Sequence, residues 1–280
     1  MRISPMPVLA VFTALGVSML AAAQRPATGR QPTSAGVLSE HHLEVLDGMP
    51  LQAQAEFLIE RAINRYHGAH EQIVARAESW RGNIEMTERL NSLFVIALNS
   101  DDLAVRAAAI ELDLAALNVE KAVGTINRLE PDARHGEQGP RANALWRIGL
   151  LGNRGVEPER AFDILMSGIH DENVNIRYWA VEGLGYLGTE AVIAPLLSVF
   201  REDSSPMIRE RAACSLAQSG MLSAQLRLTA VPTLLDFAED PTLDNQTRAW
   251  VFQALRDITG QSLPRQAPAW RDWYVRSLRR

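Results

Sequence analysis

The sequence contains only one cysteine, Cys214, and only one lysine, Lys121. A lone cysteine excludes an internal disulfide framework. Aromatic residues make up only 6% of the chain, whereas hydrophobic residues make up 47% and charged residues 22%. This composition disfavours sheets and excludes bulk disorder, and the many alanines and leucines favour helices. The formal net charge of −5 argues against nucleic acid as the main partner.

The N-terminus has the pattern of a secretory signal peptide. Arg2 supplies a positive charge, residues 8–20 form an apolar run, and small residues occupy 21–23. The apolar run is shorter than the roughly 20 residues that a membrane-spanning helix needs, so we expect cleavage after Ala23 and no stable membrane span afterwards. The mature protein is therefore expected to be periplasmic or secreted.

Five arginines recur at a nearly constant interval and mark an internal repeat. They are Arg106, Arg141, Arg177, Arg209 and Arg248. The successive gaps are 35, 36, 32 and 39 residues. An apolar residue follows each arginine three positions later. Another follows seven positions later in every copy except the first, which has Asp113 there. Glycines recur eleven positions after three of the arginines, so these offsets mark one face of a helix that ends at a glycine.

A second set of apolar segments lies between these helices. The segment APLLSVFRED at 194–203 aligns with VPTLLDFAED at 231–240. Each has a proline near its start and a phenylalanine five positions further on. Two helices per unit, separated by polar turns, predict an all-α solenoid.

The spacing of these residues resembles a known family. Pro195 is followed by Asp203 eight positions later and by Arg209 six positions after that, which is similar to the consensus of HEAT repeats. The similarity is greatest to the exported bacterial HEAT-repeat proteins of the short, PBS-lyase HEAT-like type, and it extends over roughly residues 100–260. It implies a right-handed α-α superhelix of paired helices.

The same resemblance implies a structural role for the repeated acidic and basic positions, which tie neighbouring units together in that family. In this sequence those positions are Asp171, Arg177, Asp203 and Arg209. Carboxylates near helix N-termini, bridged by guanidinium groups, predict a ladder between units.

The segments on either side of the repeats are assigned by their composition. Residues 24–38, rich in Pro, Gly, Ser and Thr, are expected to form a flexible linker, and residues 39–98 an N-terminal helical cap. Residues 99–260 contain the repeats. The W-x-x-W-Y pattern in residues 261–280 predicts a Trp-rich C-terminal cap and resembles the terminus of many secreted bacterial HEAT-repeat proteins.

One glycine motif resembles a dinucleotide-binding turn. Gly183, Gly185 and Gly188 have the spacing G-x-G-x-x-G, and Asp203 lies twenty residues after the first glycine. However, Asp203 lies only 15 positions after Gly188, which is too short a distance for the helix and strand that such a fold requires. Similar glycines recur in the neighbouring units, so we interpret them as helix packing and capping residues and expect no cofactor.

Candidates for chemistry are few. The sequence has no G-x-S-x-G turn, and Cys214 falls within a packed helix, so no catalytic residue is assigned. His67, His70 and Glu71 are weak candidates for a metal site that still lacks a further ligand. They support an alternative hypothesis, a metal-dependent enzyme or enzyme accessory that is oxidoreductase-like, hydroxylase-like or lyase-like by family analogy.

The leading hypothesis is a non-enzymatic exported scaffold that binds a protein or peptide on the concave face of the solenoid. We expect the second helix of each unit to form that face. Its candidate contact residues are Ser198, Arg201, Asp236 and Glu239. Aromatic residues on the first helices either pack between units or anchor a partner, and the sequence leaves this choice open. They are Trp146, Tyr178, Trp179 and Trp250.

Overall fold

Helices account for nearly all of the regular structure in the computed structural model, which describes residues 36–279. They are α1 (Glu40–Asp47), α2 (Leu51–Ile63), α3 (Ala69–Trp80), α4 (Glu88–Leu98), α5 (Leu103–Ala116), α6 (Val123–His135), α7 (Gln138–Asn153), α8 (Pro158–Met166), α9 (Val174–Leu187), α10 (Ile193–Glu202), α11 (Pro206–Cys214), α12 (Ala224–Leu228), α13 (Val231–Glu239), α14 (Asn245–Thr259) and α15 (Ala267–Ser277). The predicted all-α helical solenoid is confirmed.

The predicted signal peptide and most of the predicted linker lie outside the described residues. The last linker residues are described, and they include a short strand. Strand β1 (Gly36–Val37) pairs in parallel with β2 (Tyr66–His67), the segment before α3. The start of the described chain is therefore tied to the first helices.

Two kinds of helix alternate along the chain. The Arg-bearing helices are α5, α7, α9, α11 and α14, and each carries one of the five repeated arginines near its start. The alternate helices are α6, α8, α10 and α13, and each packs against the Arg-bearing helix that follows it. α9 packs between α7 and α11, and α11 packs on α14, so the Arg-bearing helices form one layer.

The N-terminal helices continue this alternation. α3 packs on α5 and α2 packs on α4, so the segment expected to form a cap adds to both layers. At the other end, α15 packs on α13. Trp270 in α15 is fully buried, and its Nε1 donates a hydrogen bond to the carbonyl of Pro264 at 2.9 Å.

The glycine motif belongs to a helix and its end. Gly183 and Gly185 lie inside α9, and Gly188 ends that helix in the left-handed conformation with a φ of 67°. A Cβ atom on Gly149 of α7 would lie 2.6 Å from the Cα atom of Gly183, so the two backbones pack at a distance that only glycine permits. The motif therefore lacks the strand-to-helix turn of a dinucleotide site.

The other predicted helix-ending glycines behave differently. Gly152 lies inside α7, which ends at Asn153, and a Cβ atom there would lie 2.6 Å from the side chain of Leu187. Gly220 follows a π-helical segment, Ser215–Ser219, which continues α11, and its φ of −74° is not left-handed. The predicted helix end is thus wrong for Gly152, whereas Gly220 ends its helical segment as predicted but without the left-handed conformation.

One hydrogen bond joins distant parts of the Arg-bearing layer. Nη1 of Arg106 in α5 donates to the carbonyl of Gly220 at 2.8 Å. Arg106 and Gly220 are both buried, so this contact lies in the interior of the fold. The residues expected on the concave face belong to the other layer, that of the alternate helices.

Candidate functional site

Three ion pairs connect successive units at the starts of the Arg-bearing helices. They join Arg141 to Asp171 at 2.6 Å, Arg177 to Asp203 at 2.8 Å and Arg209 to Asp244 at 3.2 Å. Nη1 of Arg177 also donates to the carbonyl of Asp171 at 2.8 Å, and Nη1 of Arg209 donates to the carbonyl of Asp203 at 2.7 Å. Each of these two arginines thus joins the turn before its own helix to the turn of the next unit.

Each Arg-bearing helix has a face that points away from its repeated arginine. We call the side chains on that face the inner surface. They are Trp146 and Arg147 on α7, Tyr178, Trp179, Glu182 and Tyr186 on α9, Arg211 and Cys214 on α11, and Trp250 on α14. Relative to the repeated arginine of the same helix, most lie two, five or nine positions later.

Aromatic rings of the inner surface pack edge to face. The ring centroid of Trp146 lies 4.8 Å from that of Tyr186 and 5.8 Å from that of Trp179. Trp179 in turn lies 5.5 Å from Tyr178. Trp146 and Tyr186 are buried, whereas Tyr178, Trp179 and Trp250 are half-buried. The aromatic cluster therefore has a rigid base and a partly accessible edge.

A buried carboxyl group lies at the base of this cluster. Nε1 of Trp146 donates to Oδ2 of Asp113 in α5 at 3.3 Å. Burial raises the pKa of Asp113 to about 6, against the opposing effects of the Trp146 hydrogen bond and the positive charge of Arg147. Burial likewise lowers the pKa of Arg147, while the charge of Asp113 counteracts this. Asp113, the residue that breaks the apolar pattern of the first repeat, thus forms a polar link between α5 and α7.

A second polar group lies between α9 and α11. Nε of Arg211 is 3.0 Å from Oε1 of Glu182, which is buried. Burial, followed by the charge of Glu182, raises the pKa of Tyr178 to about 12. Burial also raises the pKa of the Cys214 thiol, so the nucleophilic thiolate is disfavoured at neutral pH. The geometry favours packing and recognition over covalent chemistry here.

The residues predicted for partner binding lie on the alternate helices, outside the inner surface. Ser198 and Arg201 are on α10, and Asp236 and Glu239 are on α13. Their role in contacting a partner on a concave face stays a prediction.

Each of these four side chains already has a polar partner within the protein. Ser198 hydrogen-bonds Glu202 at 3.1 Å, and Arg201 pairs with Asp240 at 2.8 Å. Arg271 from α15 bridges the two acidic residues, at 2.9 Å from Asp236 and 2.7 Å from Glu239.

The weak metal candidates lie near the N-terminus of α3. His67 is exposed in β2, and His70 and Glu71 belong to the first turn of α3. Among residues 36–279, no group of three or more His, Cys, Asp and Glu side chains is arranged to hold a metal ion. The geometry therefore adds no ligand to the pair of histidines.

Part of the inner surface could not be recognised in the sequence. The sequence singles out the four aromatic residues but does not indicate which face of the helices they occupy. It does not single out Arg147, Glu182 or Arg211. A signal was available, since Arg211 lies two positions and Glu182 five positions after the repeated arginine of its own helix. Nothing in the sequence indicates that Asp113 would reach Trp146.

Comparison with known proteins agrees with this architecture. Residues 126–217 match the protein family described as HEAT repeats, and this range runs from α6 to the π-helical segment after α11. The match supports a HEAT-repeat protein. A search of curated proteins found no match to the chain. Across the described residues, none of the helices has both the length and the apolar character needed to cross a membrane.

Proposed function

We propose that this protein is a non-enzymatic scaffold that binds a protein or peptide partner along the inner surface. HEAT repeats are commonly protein-interaction scaffolds. The observation that carries the proposal is a row of half-buried side chains on four successive Arg-bearing helices. They are Arg147 on α7, Tyr178 and Trp179 on α9, Arg211 on α11 and Trp250 on α14. Trp, Tyr and Arg are the residues most enriched at the energetic centres of interfaces.

The rigidity of the inner surface supports this choice. Ion pairs at the helix starts fix the spacing between units, and the close approach of Gly149 and Gly183 fixes α7 against α9. A surface whose side chains are already held in place loses little conformational entropy on binding.

The alternate helices offer less to a partner. The carboxylates of Asp236 and Glu239 are already paired with Arg271, and Arg201 is paired with Asp240. A partner that bound these charges would have to displace the existing ion pairs. The exposed ion pairs that it formed in exchange would contribute little binding free energy. We therefore assign recognition to the inner surface.

We also propose that the protein acts after export, as a periplasmic or secreted protein. The charge at Arg2, the apolar run at 8–20 and the small residues at 21–23 support this proposal. Fractionation of expressing cells and N-terminal sequencing test it, and the expected mature N-terminus is Gln24. A chain that retains Met1 and remains with the cytoplasmic fraction would contradict it.

Crosslinking in cells that express a tagged full-length chain tests the proposed binding surface. The wild-type chain should capture a specific partner, and the double variant Tyr178→Ala/Trp250→Ala should lose at least about 90% of it, since two interface anchors contribute roughly 2 kcal/mol or more. The double variant Ser198→Ala/Asp236→Ala, on the alternate helices, is the matched control and should capture the wild-type amount. Equal capture by both double variants would refute the assignment to the inner surface.

A further inference from the structure

The C-terminal helix α15 has one buried side and one side that lies in solvent. Trp270 is fully buried, and Trp273 and Tyr274 are half-buried against the hydrophobic core. The ring centroids of the two tryptophans lie 6.1 Å apart, so the buried side is well packed. We call the exposed side chains at the C-terminal end of this helix the C-terminal patch, which consists of Val275, Arg276, Leu278 and Arg279.

The apolar half of the C-terminal patch is Val275 and Leu278. Their exposed fractions are 43% and 69%. The N–H of Leu278 donates to the carbonyl of Tyr274 at 3.2 Å, so the backbone keeps its helical course through the patch. Residues three positions apart are neighbours on a helix surface, so these two side chains form one apolar strip in water. Transfer of this strip into an apolar medium would be favourable.

The basic half of the C-terminal patch is Arg276 and Arg279, which are also three positions apart. Within residues 36–279, neither guanidinium group has a hydrogen bond or an ion pair with another side chain. Arg271 of the same helix differs from them, since it pairs with Asp236 and Glu239. The two positive charges of the patch are therefore available to an external anion.

The C-terminal patch lies in a basic segment of an acidic chain. Residues 261–280 contain five arginines and one acidic residue, Asp272, whereas the whole chain has a formal net charge of −5. Burial, followed by the nearby charge of Arg265, lowers the pKa of Arg256. Positive charges thus also lie close together in the segment that leads into α15. Such an asymmetry of charge indicates an anionic ligand for the basic segment.

The combination of charge and apolar surface identifies the class of ligand. A guanidinium group binds phosphate oxygens through parallel hydrogen bonds, so Arg276 and Arg279 suit phosphates. Valine and leucine gain free energy only where an apolar phase lies close to those phosphates, and half-buried Trp and Tyr side chains favour the same boundary. A phospholipid surface offers both features, whereas a nucleic acid backbone or an acidic protein surface offers mainly charge. The C-terminal patch therefore fits the surface of an anionic membrane.

We propose that the C-terminal patch binds the surface of a membrane that contains anionic phospholipids. Arg276 and Arg279 contact lipid phosphates, and Val275 and Leu278 enter the boundary between headgroups and acyl chains. The binding is peripheral and reversible, because four side chains supply fewer interactions than stable anchoring requires. α15 packs on α13, whereas the inner surface lies on the Arg-bearing helices, so this proposal does not rest on the proposed partner.

Cosedimentation of the full chain with lipid vesicles tests the proposal. Vesicles of phosphatidylcholine and phosphatidylglycerol in equal parts should bind the wild-type chain at least about ten-fold more tightly than vesicles of phosphatidylcholine alone. The double variant Arg276→Gln/Arg279→Gln should bind the mixed vesicles roughly thirty-fold more weakly, since each basic side chain near an anionic surface contributes about five-fold in affinity. The apolar run at 8–20 is common to all variants and cannot account for a difference between them.

Two further variants separate the patch from general charge and test its apolar half. Arg89→Gln/Arg128→Gln removes the same charge from exposed positions on α4 and α6, and it should bind the mixed vesicles as tightly as wild type does. Leu278→Asn keeps both arginines and should bind roughly five-fold more weakly, because it removes part of the apolar surface that enters the membrane. Circular dichroism verifies that all variants keep the helical content of the wild-type chain.

Three results would overturn the proposal. The first is a wild-type chain that binds both kinds of vesicle equally or binds neither. The second is an equal affinity of wild type and Arg276→Gln/Arg279→Gln, or an equal loss in both double variants. The third is an unchanged affinity of Leu278→Asn, which would assign the two arginines to a purely electrostatic ligand such as an acidic protein surface.

Discussion

Arg177 forms a two-point ion pair with Asp203 of the following unit, with distances of 2.8 Å from Nε to Oδ2 and 3.1 Å from Nη2 to Oδ1. The carboxylate also accepts a hydrogen bond from the N–H of Ser205, at the start of the next Arg-bearing helix. Asp203 thus binds the arginine of the preceding unit and also accepts a hydrogen bond at the start of the Arg-bearing helix in its own unit. This double role explains why an aspartate recurs six positions before an arginine in two of the repeats.

Replacement of Asp203 should therefore be strongly destabilising. Asp203→Ala leaves the largely buried guanidinium of Arg177 without its carboxylate, and breaking such a pair costs about 3 kcal/mol of the free energy of unfolding. Asp236→Ala removes an exposed pair with Arg271 and should cost less than about 1 kcal/mol. Urea denaturation of both variants measures the difference, and similar losses would contradict the structural role of the ladder.

The packing of α7 against α9 predicts opposite effects for two glycines of one helix. Gly149→Ala places a methyl group 2.6 Å from the backbone of Gly183 and should destabilise the fold by roughly 1–3 kcal/mol. A Cβ atom on Gly139, in the first turn of α7, meets nothing within 4 Å. Gly139→Ala should therefore stabilise the fold by roughly 0.5–1 kcal/mol. Thermal unfolding checks both signs, and a Gly149→Ala variant as stable as wild type would contradict this helix contact.

The buried carboxyl of Asp113 predicts a dependence of stability on pH. Burial raises its pKa from 3.8 to about 6, with Trp146 and Arg147 facing it from α7. A carboxyl whose pKa is higher in the folded state contributes stability below its unfolded pKa. That contribution is lost as the pH rises through the folded pKa. Asp113 should therefore favour the folded state at pH 4 and lose this contribution by pH 7.

Asp113→Asn isolates this effect because asparagine keeps the shape and does not titrate. The free energy of unfolding of the variant, relative to wild type, should rise by roughly 2 kcal/mol between pH 4 and pH 7, since a shift of about two pKa units corresponds to that difference. Urea denaturation across this range measures it. Parallel pH profiles for the two proteins would show that Asp113 titrates normally.

The C-terminal helix should contribute stability through one residue. Trp270 is fully buried and hydrogen-bonded to Pro264, so Trp270→Ala should cost about 3–5 kcal/mol. Leu278, which is 69% exposed near the same end, provides the control, and Leu278→Ala should have an effect within about 0.5 kcal/mol. Chemical denaturation checks both, and a small effect at Trp270 would mean that α15 adds little to the stack.

The sequence was sufficient to predict the repeated helices, and it pointed to four of the six residues that form the ion pairs between units, namely Asp171, Arg177, Asp203 and Arg209. The period of the arginines and the offsets of three and seven depend on local helix geometry, which the chain specifies over a few turns. Gly188 ends its helix as expected, because the left-handed residue at a helix end is a local requirement that glycine meets. Interactions between adjacent units, such as Arg177 with Asp203, repeat with the period and could be predicted from it.

Only the tertiary structure decided which side chains of the two layers meet distant parts of the chain. The arrangement of the layers depends on how closely each pair of helices packs, and thus on contacts such as Gly149 with Gly183. Arg106 donates a hydrogen bond to Gly220, which lies 114 positions later in the chain, and Arg271 donates one to Asp236, which lies 35 positions earlier. The repeat pattern predicts neither contact. Such contacts arise from the summed small rotations of all the units between them, so no short stretch of sequence specifies them.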